Sequence, residues 1–150
     1  MIKFIPSKGI LKKTEIDFDL LGDICTKIFE AGFNRKIYVD VKVWKSRVKE
    51  QSSMERVSRG LRTYKMDLDT EGNRRYVFSS ILHELRHAFR EYIFNFTYIA
   101  RFASYNAYYN SKEEKDARKQ EKLTTEVMKI YDAFKSAEEK FERFDLKELG

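Results

Sequence analysis

The sequence predicts an α+β fold: a small twisted sheet, antiparallel or mixed, packed on one central helix, with a mostly helical C-terminal half. Three observations carry this. Lys36 to Trp44 contains I-Y-V-D-V-K-V-W, a strict alternation of β-branched and polar residues that marks a half-buried strand. Phe78, Ile81, Leu82, Leu85, Phe89 and Tyr92 recur at helical spacing and give a helix one apolar face. From Asn73 to Leu149 there is neither Gly nor Pro, so little in that half would interrupt a helix.

Taken in order, Met1 to Ile5 alternates weakly and leads into Pro6-Ser7-Lys8-Gly9, the signature of a short strand followed by a turn. Phe18, Leu21, Ile24, Ile28 and Phe29 place a helix over Asp17 to Ala31, with Gly32 as its stop. The alternating strand follows. Lys45 to Arg59 is polar and basic and reads as a loop or short helix. Leu61 to Leu68 alternates again and reads as a second strand, and Glu71-Gly72-Asn73 turns the chain into the central helix. The one expected break in the second half is Ser104 to Ser111, with Ser111 capping a helix from Lys112. No repeat, low-complexity linker or second domain is visible, so residues 1–150 read as one domain with a real core.

Composition narrows the setting. Twelve Phe and nine Tyr supply bulky core material. A lone cysteine, Cys25, excludes an internal disulfide framework and fits a buried reduced thiol in a cytoplasmic protein. No run approaches eighteen apolar residues, and no apolar signal core follows the N-terminus, so no membrane partner is expected. A net charge of +6 would attract nucleic acid at long range. The C-terminal cations are interleaved with acids, however, as on a solvated helix face, so nucleic acid is not indicated.

Within the central helix, Ile81 to Arg90 reads I-L-H-E-L-R-H-A-F-R, and His83, Glu84 and His87 form H-E-x-x-H. Positions i and i+4 lie one above the other on a helix, so both imidazoles can grip one metal ion. Glu84, one step round, reaches a water on that ion as general base. The chain has only two histidines, and both are in this motif. Arg86 departs from the pattern, because the position before the second histidine is usually uncharged in zinc peptidases.

Zinc in a catalytic site normally takes three protein ligands. With no third His and no second Cys, a carboxylate from the following helix is expected, and Glu113, Glu114, Asp116, Glu121 and Glu126 are on offer. H-E-L-R-H followed 27 residues after His87 by Glu114-Lys115-Asp116-Ala117-Arg118 resembles the minimal, gluzincin-like zinc metallopeptidases with an E-x-x-A signature. These include the ImmA/IrrE-like proteins and small phage-encoded H-E-x-x-H proteins. The resemblance spans about residues 60–130 and implies a zincin-like fold, bound Zn²⁺, a protein or peptide substrate and a bacterial or phage setting. It implies Glu114 as third ligand and Ala117 as the small residue that lets the helices approach. The family often has Asp or Asn four residues after that ligand, and here the position is Arg118, with Asp116 as a substitute. Helix geometry offers a competing answer: a central helix unbroken to Phe102, with the next folded straight back, would set His87 level with residues near 126 and favour Glu121 or Glu126.

The expected chemistry is peptide-bond hydrolysis by a metal-activated water with Glu84 as base. The oxyanion would need a further donor, from Tyr105, Tyr108, Tyr109 or Arg118. An extended substrate would pair with an edge strand at about Thr63 to Asp67. The rival expectation is an inactive fold of the same kind that binds a protein or nucleic acid, the latter through the basic Lys45–Arg62 stretch. A third is a structural helical protein with a chance motif.

Overall fold

A computed structural model describes residues 1–48, 51–57, 62–94 and 105–148, with side chains described at 1–48, 51–57, 62–89 and 118–140. The fold is α+β. Its elements are β1 (Ile2–Pro6), α1 (Lys8–Lys13), α2 (Phe18–Phe33), β2 (Val39–Lys45), β3 (Ser53–Arg56), β4 (Thr63–Leu68), α3 (Arg74–Phe94) and α4 (Tyr105–Glu148).

The four strands form one mixed sheet in the order β1-β2-β4-β3. β1, β2 and β4 are parallel, and β3 runs antiparallel to β4. β4 is therefore inserted between β2 and β3. The expectation that Thr63 to Asp67 is an edge is corrected: β4 is bonded on both sides, and the edge strands are β1 and β3. β3 also corrects the reading of Lys45 to Arg59 as loop or short helix. Its four residues S-M-E-R carry one partly buried apolar side chain, Met54, too little to register as alternation.

Alternation does set the faces elsewhere. Ile2 and Phe4, Val39, Val41 and Val43, and Tyr64, Met66 and Leu68 all point into one core. Leu21, Ile24 and Phe29 of α2, the apolar stripe of α3, and Val127 and Tyr131 of α4 close over them. Phe89 is central, edge-on to Phe29 at 5.3 Å and to Tyr64 at 6.5 Å. Cys25 is fully buried and free, and burial pushes its thiol pKa up. On the opposite face of the sheet Lys3, Ile5, Asp40, Lys42 and Trp44 are exposed.

The helices have local causes. Asp17 caps α2 by accepting from Leu20 N at 3.1 Å, and Lys135 of α4 donates to its other oxygen at 2.8 Å. That lysine, first, and the Leu20 amide hold the Asp17 carboxyl below its ordinary pKa. Gly32 does not stop α2: the helix continues to Phe33, whose ring stacks on Phe29. Asn34 ends it instead, in the left-handed region with φ 52°, while Arg35 N bonds back to Glu30 O at 3.2 Å. Gly22 has a different role. A Cβ there would lie 2.7 Å from Ile2 O, so only glycine lets α2 reach β1. Thr26 seals that contact, accepting from Ile2 N and donating to Gly22 O, both at 2.7 Å.

Pro6-Ser7-Lys8-Gly9 opens α1, with Ser7 as its cap, where a turn alone is expected. α4 begins at Tyr105, so Ser111 lies inside a helix and is not its cap. Among the described residues no helix is long and apolar enough to cross a membrane.

Candidate metal centre

Val77, Phe78, Ile81, Leu82, Leu85, Ala88 and Phe89 are all buried, and they fix the rotation of α3 about its axis. At 100° per residue, His83 and His87 then fall on the side facing away from the sheet, and Glu84 falls at the border of the buried stripe. Burial follows this order, with His83 exposed, His87 partly so and Glu84 half-buried.

The two imidazoles converge. Their Nε2 atoms are 3.0 Å apart and the rings are nearly perpendicular, at 86°. Two nitrogens each ~2.0–2.1 Å from a tetrahedral zinc would lie about 3.3 Å apart. The observed spacing is close to that value, and in the metal-free chain the two Nε2 atoms lie within hydrogen-bond distance of each other. Glu84 sits one step round the helix, and burial of its carboxyl pushes the pKa up to about 7.

A cleft of about 340 Å³ opens beside these groups, lined by Gln51, Ser52, Tyr76, Ser79, Ser80, His83 and Glu84. Gln51 and Ser52 lead directly into β3, so this edge of the sheet borders the cleft. The turn before α3 shapes its far end. Buried Asp69 accepts from Glu71 N at 3.1 Å and from the Tyr76 hydroxyl at 3.0 Å, and Asp69 N donates to Ser52 Oγ at 3.0 Å. Asn73 caps α3 through Tyr76 N. The Tyr76 ring lies so close to Gly72 that a Cβ there would overlap it at 2.2 Å. Tyr76, Ser80 and His83 share one helix face by spacing alone. The buried acceptor Asp69 and the strand that brings Ser52 leave no such pattern.

On its other flank α3 is joined to α4. Arg86 Nη1 donates to Gln120 Oε1 at 3.0 Å, while Gln120 Nε2 donates to Ser79 O at 2.8 Å. The charge inside H-E-x-x-H therefore has a partner on the neighbouring helix, beside the cleft and not across it. Further back, Arg75 meets Glu121 and Thr125, and Arg74 pairs with Asp132. Rising numbers on α3 thus meet falling numbers on α4. This register places Glu121 beside Arg75, two turns before His83, and leaves Glu126 exposed. Residues near 126 are not level with His87, which corrects the competing geometric expectation.

Glu113, Glu114, Asp116 and Ala117 belong to α4, and their side chains lie outside the described residues, as do those of Tyr105, Tyr108 and Tyr109. Arg118 is exposed. Among the described residues no third His, Cys, Asp or Glu joins the two histidines in a metal-holding group. No protein-family model, no curated protein and no solved structure matches the chain.

Proposed function

We propose that the chain is a zinc-dependent metallopeptidase with a zincin-like arrangement. The observation that carries this is the convergence of the His83 and His87 Nε2 atoms beside a half-buried Glu84 at the mouth of a cleft. His83 and His87 would hold the metal, with Glu114 as third ligand. The helix register brings residues 112–116 of α4 level with His83 and His87, which suits Glu113 and Asp116 as well as Glu114. Glu114 lies six residues before Gln120, about 9 Å along α4, while His87 lies eight residues beyond Ser79, about 12 Å along α3. Since Ser79 and Gln120 touch, positions 114 and 87 come to similar height.

Zinc, when bound, supplies a Lewis acid for a scissile carbonyl and lowers the pKa of a coordinated water towards ~7. Glu84 does the proton work: its carboxylate oxygen takes the proton of the attacking water and hands it to the leaving nitrogen. Burial raises the pKa of this carboxyl in the metal-free chain, and a zinc ion beside it would draw the value down again. The free edge of β3 gives an extended peptide backbone partners beside the cleft. Tyr76, held by Asp69, would form the far wall of the substrate site.

Elemental analysis of protein purified without chelators tests the reading. About one zinc per chain is expected in wild type and none in His83→Ala. Glu84→Gln should keep the metal and lose hydrolysis of a peptide library by 10²-fold or more. A wild type that takes up no zinc when it is added back would sink the proposal.

A further inference from the structure

The exposed face of the sheet has a composition that neither the core nor the cleft explains. Along β2 it presents the Trp44 ring, 48% exposed, and the Tyr38 ring, 55% exposed, just before the strand begins. Six positions separate them, about 20 Å along an extended chain. Arg62 sits over the Tyr38 ring at 5.9 Å. Between the rings, Lys42 of β2 lies directly beside Lys65 of β4 in the parallel register. Neighbouring strands are ~4.8 Å apart, so the two lysine stems leave the sheet side by side and bring two cations to one part of the face. Asp67 reaches Lys65 only at 3.9 Å, and Glu55 flanks Lys65 from β3. At the Trp44 end, a groove of about 480 Å³ runs past Lys45, Arg47 and Lys65. Lys3 and Arg62 complete six cations, against three acids, Asp40, Glu55 and Asp67.

We propose that this face binds single-stranded nucleic acid, with bases stacked on Trp44 and Tyr38 and backbone phosphates held by Lys42 and Lys65. Aromatic rings set apart along a cationic strip suit a strand whose base faces are free. An acidic peptide would use the charges and leave the rings without function. A duplex hides its base faces and would use the charges alone. The strip lies on the outer face of the sheet, and its groove shares Gln51 and Ser52 with the cleft beside His83 and Glu84.

Trp44 is the only tryptophan in the chain, so its emission reports directly on the site. The experiment titrates the full chain with a short oligothymidylate at several salt concentrations. Saturable quenching of Trp44 is expected, with affinity falling steeply between about 50 and 200 mM salt. Tyr38→Ala, which keeps the reporter, should weaken binding about fivefold or more. Lys42→Ala with Lys65→Ala should weaken it and lower the salt slope by about 1.4. Glu84→Gln should bind like wild type. Unchanged melting curves confirm that the variants are folded. Absence of quenching overturns the proposal. So does equal affinity for polyglutamate or for a duplex of the same length, which would assign the strip to an acidic protein or to any polyanion.

Discussion

Glu84 is a carboxyl that the fold keeps at a cost. Burial raises its pKa to about 7, against an ordinary value near 4.3 in the unfolded chain. Because the folded value is the higher one, the folded state binds the proton more tightly between the two. The penalty is therefore absent below about pH 4, grows as pH rises through the unfolded pKa, and levels off above 7. In metal-free protein Glu84→Gln should match wild type near pH 4 and be more stable at pH 8. The gain should be on the order of 1 kcal/mol, after allowance for the part of the carboxyl that water reaches. Thermal melts in chelator at both pH values measure it, and a variant less stable at pH 8 would contradict the burial argument. Arg86 illustrates how residue type can mislead at this scale. A charge inside H-E-x-x-H looks foreign to a metal site, yet its guanidinium has a hydrogen-bond partner, Gln120, on the neighbouring helix.

At the scale of elements, close approach of α2 to β1 rests on one missing side chain. Gly22→Ala would set a methyl 2.7 Å from Ile2 O, a backbone atom that cannot swing away. A loss of about 1–3 kcal/mol is expected in denaturant unfolding, with the m-value unchanged. Elements with a dense apolar signal were legible in the sequence. β2 declares itself by three alternating valines, and α3 by its stripe, which also fixes where His83, Glu84 and His87 point. Elements that depend on partners were not. β3 has a single half-buried methionine and is a strand because β4 offers it hydrogen bonds. The end of α2 was missed because Phe33 gains a stacking partner beyond Gly32, and Asn34 accepts the left-handed turn. In the site, the pair of histidines was legible, and the cleft wall from Gln51, Ser52 and Tyr76 was not, since it depends on tertiary contacts.

At the scale of the molecule, the sheet has two unlike faces: the core and the candidate metal site on one side, the cationic aromatic face on the other. The two should be separable by linkage. Zinc that binds only the folded chain adds about 2.7 kcal/mol at a hundredfold excess over its Kd. That should raise the melting temperature by several degrees in wild type, and by nothing in His87→Ala. The insertion of β4 between β2 and β3 has a kinetic consequence as well. β2 and β4 are clamped between neighbours, and the amides that join them to each other exchange only by global unfolding. β3 holds on by one side and can peel away while the parallel core stays shut. Deuterium should therefore enter residues 53–56 orders of magnitude sooner than Val41 or Met66. The wall of the cleft would then breathe on a clock of its own.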